Sequence, residues 1–370
     1  MSLVVFPCKQ EDPVTVGTNL AIAASHERVD EVWAVTADSA EASRIAPVAA
    51  DVQSTASVAV KVFPQRRLGR YRAGKGDAMN TAIEMAGSVG FERTHFYDAD
   101  ITNFDRSWID GAEEAADRGY GVVRHRFPRA ATDAMVTWMI TRPALAKLFP
   151  GTLLPRLGQP LGGELLMVAD VVEALAADPF VVARSDWGID TVITHATATM
   201  GLPIYEHNAS DGKRHTLYGS LIEIKDMVLE CLDTAASLAG RRPPPADAVF
   251  DQDPPAPVPE DLKHTVAYDV ETTLHAIAEP PDDEELTILE GLPVDPEHLD
   301  DMDEHRWGGV LDVLLARFQL GSRAWADLVF RLWVMRVVHY TRHHVPLGYD
   351  HAMSYLEGTI RAYEEQARQD

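Results

Sequence analysis

Short apolar segments and longer helical segments alternate through the first third of this chain. The strand-like segments lie at residues 3–6, 31–36, 57–63, 93–97 and 121–124. Helical periodicity separates them at residues 14–26, 39–55, 77–86 and 107–118. Such alternation predicts a Rossmann-like α/β domain with a mostly parallel sheet. Because ligands bind beyond the carboxyl ends of the strands in such sheets, we expect functional side chains directly after these segments.

Two carboxylates follow the fourth of these strands. The strand is aromatic and β-branched, and Asp98-Ala99-Asp100 comes directly after it. Paired carboxylates can hold a divalent cation, which in turn can hold a diphosphate. The same spacing recurs at 251–253 and 301–303, but neither copy follows an apolar strand, so we interpret both as solvated turns. The copy that follows the strand predicts transfer from a nucleotide-activated donor.

A basic loop punctuated by glycines follows the third strand, over residues 66–76. It gathers five cationic residues in a strongly acidic protein: Arg66, Arg67, Arg70, Arg72 and Lys75. The glycines allow a ligand to approach the backbone, and a helix N-terminus follows, which suits a phosphate-bearing ligand. The loop is not a P-loop, because Gly76 stands where that motif has a hydroxyl residue. The alternative is an exposed loop whose arginines offset the acidic surface, and Lys75 is the strongest binding candidate.

Two further segments place polar side chains where a ligand could lie. Asp186 and Asp190 flank Trp187, an arrangement that either holds a sugar or caps a helix beside a packed indole. Arg129 follows the fifth strand and can clamp a carboxylate bidentately, although a lone arginine is more often a surface residue. Neither segment decides between these interpretations by its spacing alone.

One histidine is placed to complete a metal site. His215 lies in a loop at the end of the α/β region, where the chain can fold back over the site. A neutral imidazole there can ligate a metal held by Asp100, although a loop histidine is more often exposed to solvent. Elsewhere His339, His343 and His344 lie without a metal-binding carboxylate pattern, and we interpret them as one face of a helix.

The sequence pattern changes after the α/β region, where few segments resemble strands. We predict an α/β domain over residues 1–216 and a helical C-terminal domain over 217–370, with a Pro-rich linker near 241–259. Residues 135–141 are apolar and β-prone, which predicts one more strand. Within 324–341 the apolar positions recur with helical spacing at Trp325, Leu328, Val329, Leu332 and Trp333. This stripe is typical of a core, and it can also seal a homodimer.

The charge of the chain excludes several classes of partner. In 370 residues, 33 basic against 57 acidic side chains give a formal net charge of −24. This balance disfavours binding to a nucleic-acid backbone or an anionic membrane surface. Cys8 and Cys231 lie far apart without metal or redox spacing, so we expect a reduced, cytoplasmic protein. No segment approaches the ~20 apolar residues that span a bilayer, and no signal peptide is evident.

Several blocks of sequence carry a resemblance to a known enzyme family. They are Val4-Val5-Phe6-Pro7 with Lys9, Gly74-Lys75-Gly76-Asp77, His95 to Ile101, Phe127-Pro128-Arg129, Thr132 to Met135, Gln159 to Leu166 and Ser185 to Asp190. Together they resemble the mannosylglycerate synthase family over most of residues 1–220, and more thinly beyond. The resemblance implies a GT-A fold and a retaining glycosyltransferase. That enzyme would move mannose from GDP-mannose to D-glycerate, or a similar small hydroxy acid, to give the compatible solute α-mannosylglycerate.

The resemblance also implies roles for individual residues. Donor-binding residues would be Pro7, Lys9, Lys75, Asp98, Ala99, Asp100, Leu161, Gly163 and Asp190. A divalent cation, Mg²⁺ or Mn²⁺, would be ligated by Asp100 and His215. Acceptor-binding residues would be Arg129, Asp133, Ala134 and Thr137, and the catalytic set would be Asp190, Arg129 and Asp100. No nucleophile is evident, so we hypothesise a same-face mechanism in which the leaving phosphate takes the acceptor proton.

One departure from the family pattern and two alternatives remain open. Arg126 stands where we expect an aromatic residue, and an added cation there favours a more highly charged acceptor than glycerate. A sugar-nucleotide nucleotidyltransferase would share the α/β domain and a metal-binding Asp, but its basic glycine loop follows the first strand rather than the third. A non-catalytic nucleotide-binding scaffold would have no reason to keep Arg129, Asp133, Asp190 and His215 together.

Overall fold

The computed structural model describes residues 1–209, 211–215, 219–295 and 298–369, and the chain forms two compact units. The first unit is built from Met1–Pro128, Leu161–Thr216 and Asp247–Pro257. The second unit is built from Arg129–Pro160, Leu217–Ala246 and Val258–Asp370. Each unit draws on separated stretches of chain, and the domain boundary at residue 216 stays a prediction.

A mixed sheet forms the centre of the first unit, with eight strands among the described residues. The strands are β1 Ser2–Cys8, β2 Glu31–Thr36, β3 Ala59–Pro64, β4 Arg93–Phe96, β5 Val122–Arg126, β6 Leu165–Val168, β7 Ile204–Asn208 and β8 Phe250–Gln252. Their order is β3-β2-β1-β4-β6-β5-β7-β8. Neighbours are parallel except that β6 runs antiparallel to both β4 and β5. Because of its direction, β6 begins at the edge of the sheet where β4 ends.

The α-helices are divided between the two units. Numbered along the described chain, they are α1 Pro13–Ala24, α2 Ser39–Gln53, α3 Lys75–Val89, α4 Arg106–Asp117, α5 Arg142–Leu148, α6 Ala169–Ala177, α7 Pro179–Ala183, α8 Ile189–Thr199, α9 Lys225–Ser237, α10 Glu260–His264, α11 Val270–His275, α12 Asp283–Leu289, α13 Glu304–Arg317, α14 Arg323–His343 and α15 Tyr349–Ala367. Helices α1–α4 and α6–α8 belong to the first unit and the others to the second. Capping side chains start several of them: the Asp12 carboxylate accepts from the backbone N–H of Thr15 at 3.0 Å, where α1 begins.

The central strand and the segment after β4 share one hydrophobic core. In β1 the side chains of Val4 and Phe6 are fully buried in this core. Tyr97 lies 4.7 Å from Phe104 between ring centroids, and Trp108 lies 4.6 Å from Phe127. Each such buried side chain contributes about 2 kcal/mol to stability. The aromatic contacts therefore fix the chain on both sides of the Asp-x-Asp turn.

The predicted α/β architecture is confirmed. The five strands and four helices expected before residue 125 are all present, with shifted ends. The sequence does not predict β6, β7 or β8, which have four, five and three residues. β8 lies within the Pro-rich segment near 241–259 and forms the edge of the sheet by pairing with β7.

The strand predicted over residues 135–141 is wrong, because the segment is helical. Thr137–Thr141 forms a π-helical stretch that continues into α5. Ala134 precedes it with a left-handed φ of 56°. Every residue from 135 to 141 is buried. The hydrophobic pattern therefore has no periodicity from which a helix could be distinguished from a strand.

The second unit has a helical core. The apolar stripe of α14 is buried as expected for a core, with Leu328, Val329, Leu332 and Trp333 fully inaccessible and Trp325 nearly so. The indole N–H of Trp307 in α13 donates to the carbonyl oxygen of Met139 at 2.6 Å. No helix in the described part of the chain has the length and apolar character needed to cross a membrane.

The other two Asp-x-Asp copies support local structure. In the first, Asp253 accepts hydrogen bonds from the His207 ring at 2.7 Å and from the backbone N–H of Asn208 at 2.9 Å. In the second, Asp303 caps α13 by accepting from the backbone N–H of Arg306 at 2.8 Å. The second copy is therefore a helix cap in a loop, as its sequence context indicated. The first copy lies on and directly after β8, so its interpretation as a solvated turn is wrong, and Asp253 instead ties the end of β8 to β7.

A buried carboxylate in α4 joins three strand residues. Glu113 is almost fully buried and accepts from Ser2 Oγ at 2.7 Å, from His95 Nε2 at 2.9 Å and from the Arg93 guanidinium. Burial works to raise the pKa of Glu113, but hydrogen bonds from His95, Ser2 and Arg93 lower it to about 2. The ionised carboxylate is therefore a structural group that ties α4 to the sheet.

We expect Glu113→Gln to destabilise the protein in a pH-dependent manner. The folded-state pKa of about 2 lies below the ordinary value of 4.5, so the stabilisation is present above pH 4.5 and is lost as pH falls toward 2. At pH 6 the variant should lose about 3 kcal/mol of unfolding free energy, and less as pH falls. Urea unfolding at pH 6 and at pH 3 measures the loss of unfolding free energy at each pH. The control is Glu114→Gln, at an exposed position of the same helix. A penalty independent of pH would contradict this account.

Candidate active site

The turn after β4 carries the predicted carboxylate pair. Asp98, Ala99 and Asp100 form it at the carboxyl edge of the sheet. The side-chain amide of Asn19 in α1 donates to the carbonyl oxygens of Ala99 at 3.2 Å and Ile101 at 2.9 Å. The backbone is thus held on both sides of Asp100, and both carboxylates stand where the sequence predicts them.

Lys75 connects this turn to α8. As the first residue of α3, it places Nζ 2.7 Å from Asp98 Oδ1 and 3.1 Å from Asp190 Oδ2. Its side chain is 9% exposed, that of Asp190 is 2% and that of Asp98 is 25%, so the pair with Asp190 is largely shielded from water and the pair with Asp98 is partly so. The start of α3 is packed closely, since a Cβ on Gly76 would lie 2.5 Å from the carbonyl oxygen of Arg184. Three segments distant in sequence therefore meet at one ammonium group.

A second lysine extends this arrangement on the other side of Asp98. Lys213 Nζ lies 2.6 Å from Asp98 Oδ2 and also forms an ion pair with the fully buried carboxylate of Glu164. Carboxylates and ammonium groups thus alternate in the order Asp190, Lys75, Asp98, Lys213 and Glu164. We call this set the charge chain. Each cation lies between two anions, which is the arrangement that offsets the desolvation cost of buried charges.

Burial and pairing act in opposite directions on the pKa values in the charge chain. Burial works to raise the pKa of Asp98, yet Lys213 and Lys75 hold it well below its usual range. Burial opposes the charged form of Lys75, but Asp190 and Asp98 raise its pKa. Burial raises the pKa of the two terminal carboxyls, Glu164 and Asp190, and the charge of Asp98 adds to both shifts. Ion pairing therefore outweighs burial at Asp98 and Lys75 and favours their charged forms. At Glu164 and Asp190 burial is the larger effect, and it disfavours the ionised carboxylate.

The turn before β6 packs directly against the charge chain. A Cβ on Gly163 would lie 2.2 Å from Lys75 Nζ and 2.9 Å from Asp98 Oδ1, so no larger residue fits there without moving those groups. The neighbouring carbonyl oxygen of Gly162 accepts from Arg124 Nη2 at 2.8 Å. Arg124 is 1% exposed, and its charge lies near Asp190. This guanidinium therefore supports the turn at Gly162, while the lack of a side chain at Gly163 makes room for Lys75 and Asp98.

The two residues predicted as metal ligands, Asp100 and His215, lie on two segments that are joined by hydrogen bonds. The backbone N–H of Thr102 donates to the carbonyl oxygen of Arg214 at 2.9 Å, and Arg214 N–H donates to Asn103 Oδ1 at 2.8 Å. His215 follows directly, and Asp100 precedes Thr102 by two residues. Within the described residues, no group of three or more His, Cys, Asp or Glu side chains forms a ready metal site. One carboxylate and one imidazole suit a cation whose other ligands are phosphate oxygens and water.

Most arginines of the basic loop serve the loop itself. Arg66 Nη1 lies 2.9 Å from Glu84, and Arg67 Nη1 lies 2.7 Å from the fully buried Asp77. Asp77 also accepts from the backbone N–H groups of Leu68 and Gly69, at 3.0 and 2.9 Å. These contacts shape the loop and hold the start of α3 in place. Among the cations predicted to bind phosphate, Lys75 reaches two carboxylates of the site, Asp98 and Asp190.

The two carboxylates of the Asp186–Asp190 segment have different partners. Asp186 accepts from the backbone N–H of Gly188 at 3.0 Å and lies 3.4 Å from the Arg184 guanidinium, which orders the turn before α8. Asp190, in the first turn of α8, points to Lys75 instead. The Trp187 ring lies 5.8 Å from Lys75 Nζ, a cation–π distance. Asp186 therefore orders the turn before α8, and sugar binding by this segment stays a prediction.

The chain leaves β1 through a constrained turn that carries two predicted donor residues. Pro7 is half-buried within β1, and Lys9 is exposed just beyond it. Gln10 has a left-handed φ of 66°, and its N–H donates to Glu41 Oε1 at 3.0 Å. Burial, with a smaller contribution from the charge of Asp100, raises the pKa of Glu11 to about 7. This turn thus brings a third carboxyl into the electrostatic field of the Asp98–Asp100 turn.

The predicted acceptor residues belong to the second unit. Arg129 Nη1 lies 2.8 Å from Asp133 Oδ2, and Arg129 Nη2 lies 3.3 Å from Gln159 Oε1. The other Asp133 oxygen accepts from the backbone N–H of Ala134 at 2.6 Å, which supports the left-handed conformation of that residue. Thr137 is buried one helical turn further on. The structure thus brings Arg129 and Asp133 together as a largely shielded pair, and their role in binding an acceptor stays a prediction.

Sequence reasoning missed three members of this arrangement. Glu164 and Lys213 are 49 residues apart and Arg124 lies within a strand, so no local spacing joins them. The available signals were weak: Lys213 shares a segment with His215, and Glu164 follows a glycine pair at the start of a short apolar run. The antiparallel insertion of β6 places Glu164 at the end of β4, and Arg124 and Lys213 reach the same place from β5 and from the segment after β7.

Solved structures define the class of this protein. Glucosyl-3-phosphoglycerate synthase from Mycobacterium tuberculosis, in complex with Mn²⁺, UDP and glucosyl-3-phosphoglycerate, has a TM-score of 0.53 and 20% identity, over 65% of this chain and 80% of that chain. The same enzyme with Mg²⁺ and UDP has a TM-score of 0.52 and 20% identity, over 65% and 79% of the two chains. The fold is that of the GT-A glycosyltransferases.

Sequence comparison identifies the family. A profile for the mannosylglycerate synthase GT domain matches residues 2–237, and one for the mannosylglycerate synthase C-terminal domain matches residues 262–360. Mannosylglycerate synthase of Rhodothermus marinus is 43% identical, over 99% of this chain and 95% of that protein. Mannosylglycerate synthase of Selaginella moellendorffii is 37% identical, over 99% and 90% of the two chains. The chain belongs to the mannosylglycerate synthase family and is a glycosyltransferase, which favours the predicted enzyme over a nucleotidyltransferase or a non-catalytic scaffold.

Proposed function

We propose that this enzyme transfers mannose from GDP-mannose to D-glycerate or a similar small hydroxy acid, with a divalent cation and retention of configuration. The observation that carries the proposal is the shielded link from Asp98 through Lys75 to Asp190, at the strand end where GT-A enzymes bind nucleotide sugars. Relatives that align over nearly the whole chain are named mannosylglycerate synthase. The product would be α-mannosylglycerate, a compatible solute.

The residues at the end of β4 and around it would each contact a different part of the donor. Asp98 can accept hydroxyl hydrogens of the nucleoside sugar while its oxygens remain paired with lysines, because each carboxylate oxygen has more than one acceptor site. Lys75 contributes a fixed positive charge where the diphosphate would lie. Leu161, Gly163 and Asp190 would line the mannosyl position. Pro7, Lys9 and Ala99 complete the proposed donor set.

Asp100 and His215 would hold Mg²⁺ or Mn²⁺. Their segments are tied by the hydrogen bonds of Thr102 and Asn103, so the two ligands belong to one supported structure. When bound, the cation offsets the negative charge that builds on the departing GDP. The Mycobacterium tuberculosis enzyme has been solved with Mn²⁺ or Mg²⁺ together with UDP, which supports a divalent cation in this fold.

Acceptor binding is assigned to Arg129, Asp133, Ala134 and Thr137. The Arg129 guanidinium would hold the acceptor carboxylate through two parallel hydrogen bonds, and Asp133 fixes the plane of that guanidinium. Tyr349 in α15 supports the backbone at the same place, since its hydroxyl donates to the carbonyl oxygen of Arg129 at 3.0 Å. The acceptor would thus be selected first by its carboxylate.

Retention is proposed to proceed on one face of the sugar. The acceptor oxygen forms its bond to the anomeric carbon as the bond from that carbon to the diphosphate breaks, and the leaving phosphate takes the acceptor proton. Asp190 is engaged by Lys75 at 3.1 Å, so we assign it to orienting the sugar and balancing charge rather than to nucleophilic attack. The catalytic set is then Asp190, Arg129 and Asp100.

The proposal is tested by following GDP release from GDP-mannose with Mn²⁺ and a panel of acids. The panel includes D-glycerate, lactate, glycolate and 3-phosphoglycerate, the last because Arg126 adds a cation at the end of β5. Acceptor-dependent GDP release and an α-linked product by NMR are expected. The absence of such release with every acid would refute the proposal. If Asp100→Asn and His215→Ala kept the full metal-dependent rate, the metal assignment would be wrong.

We expect Arg129→Lys to weaken acceptor use selectively. Lysine keeps the charge but cannot form two parallel hydrogen bonds to a carboxylate, so KM for D-glycerate should rise by about tenfold or more. The KM for GDP-mannose should stay within about twofold, because Arg129 is not part of the donor set. Initial rates with each substrate varied in turn measure both constants. An equal rise in the two KM values would show that the variant disturbs the enzyme generally.

A further inference from the structure

The 211–215 segment is fastened to the Asp98–Asp100 turn at two levels. At the surface, Asn103 Nδ2 donates to the carbonyl oxygen of Gly212 at 2.9 Å, and Thr102 N–H donates to that of Arg214. Beneath these contacts, the side chain of Lys213 passes inward and is only 6% exposed. The backbone on both sides of Lys213 is therefore held by one stretch of chain, and its side chain reaches the interior of the same unit.

Lys213 ends between two carboxylates from different strands. Its ammonium lies 2.6 Å from Asp98 Oδ2, after β4, and pairs with Glu164, before β6. A single lysine thus fixes the 211–215 segment relative to both strands. His215 is two residues further along, so the direction in which this segment leaves the site depends on where Lys213 is anchored.

We propose that Lys213 is a positioning residue, which, anchored by Asp98 and Glu164, holds His215 in place to ligate the divalent cation. The inference rests on the proposed function, in which His215 and Asp100 bind that cation. Lys213 does not touch the metal in this scheme. It acts through the backbone that carries His215, in the way that groups behind a metal ligand orient it.

The sign of the effect separates positioning from simple electrostatics. A buried ammonium near a cation repels it, so if charge alone mattered, removing Lys213 would tighten Mn²⁺ binding. If Lys213 orients His215, its removal weakens Mn²⁺ binding although a positive charge has been lost. Lys213→Met removes the ammonium with a side chain of similar length, and Lys213→Arg keeps the charge but changes the geometry at Asp98 and Glu164.

The experiment titrates Mn²⁺ into the protein with saturating GDP, and follows free Mn²⁺ by electron paramagnetic resonance. We expect the Kd for Mn²⁺ to rise by about tenfold or more in both Lys213→Met and Lys213→Arg. Excess Mn²⁺ should restore most of kcat, which it would not do for a generally damaged protein. Glu164→Gln keeps an acceptor oxygen for Lys213, so its Kd should stay closer to that of the wild type.

Controls make each outcome decisive. Lys147→Met removes a similarly shielded lysine, 7% exposed and paired with Asp312 at 2.8 Å, and should leave the Kd for Mn²⁺ unchanged. An unchanged or lower Kd in folded Lys213→Met or Lys213→Arg would overturn the positioning role. Wild-type protein that bound no Mn²⁺, or Asp100→Asn that bound it normally, would overturn the proposed metal site and this inference with it. A weakened Asp100→Asn beside a normal Lys213→Met would overturn the positioning role alone.

Discussion

Lys75→Met should lower kcat/KM for glycosyl transfer by about a hundredfold or more and destabilise the first unit by about 3–5 kcal/mol. The Lys75 ammonium bridges Asp98 and Asp190, at 2.7 and 3.1 Å. Removing it leaves the buried carboxylate of Asp190 without this ion pair and close to Asp98, which keeps Lys213 as its partner. The same change removes the fixed positive charge at the proposed diphosphate position.

The loss of activity and the loss of stability can be separated by a second substitution. In the double variant Lys75→Met/Asp190→Asn, one uncompensated charge is removed, so at least about 1 kcal/mol of unfolding free energy should return. Activity should not return, since the positive charge is still missing. Urea unfolding gives the stabilities, and GDP release with saturating Mn²⁺ gives the rates. Lys61→Met, at an exposed position in β3, is the control. Near-normal activity in Lys75→Met would contradict the central role of this residue.

The parts of the fold that the sequence predicts are those that depend on local patterns. Buried β-branched strands between helices indicated a mostly parallel sheet, and β1 to β5 are the five strands that this pattern predicts. The placement of Asp98 and Asp100 followed from topology, because a carboxylate after a buried strand must lie at the edge of the sheet. Lys75 followed from its position between two glycines at a helix start.

The parts that escaped prediction depend on contacts between distant segments. Leu165–Val168 has four residues and no distinctive period, so its antiparallel insertion between β4 and β5 cannot be predicted from local pattern. Without that insertion, nothing brings Glu164 to Lys213 and the end of β4. The helix that begins at residue 135 was missed for a related reason, since a segment buried on all sides lacks the periodicity that distinguishes helix from strand.

Gly163→Ala should also lower the rate of transfer strongly. The cause would be steric, because the substitution removes no charged group. The added Cβ would lie 2.2 Å from Lys75 Nζ and 2.9 Å from Asp98 Oδ1, well inside ordinary contact distance. The ammonium must move by about 1 Å or more, and displacements of that size cost about a hundredfold in rate. Because no ionised group is lost, unfolding free energy should fall much less than in Lys75→Met.

The matched control is Gly87→Ala, which makes the same substitution in α3. There the added Cβ would meet only Val172 Cγ1 at 4.0 Å, and alanine in a helix is about 1 kcal/mol more favourable than glycine. We therefore expect normal activity and equal or higher stability from Gly87→Ala, measured by GDP release and urea unfolding. If Gly163→Ala kept its rate within about threefold of the wild type, Lys75 could shift without loss, and the fixed position of its ammonium would not matter for transfer.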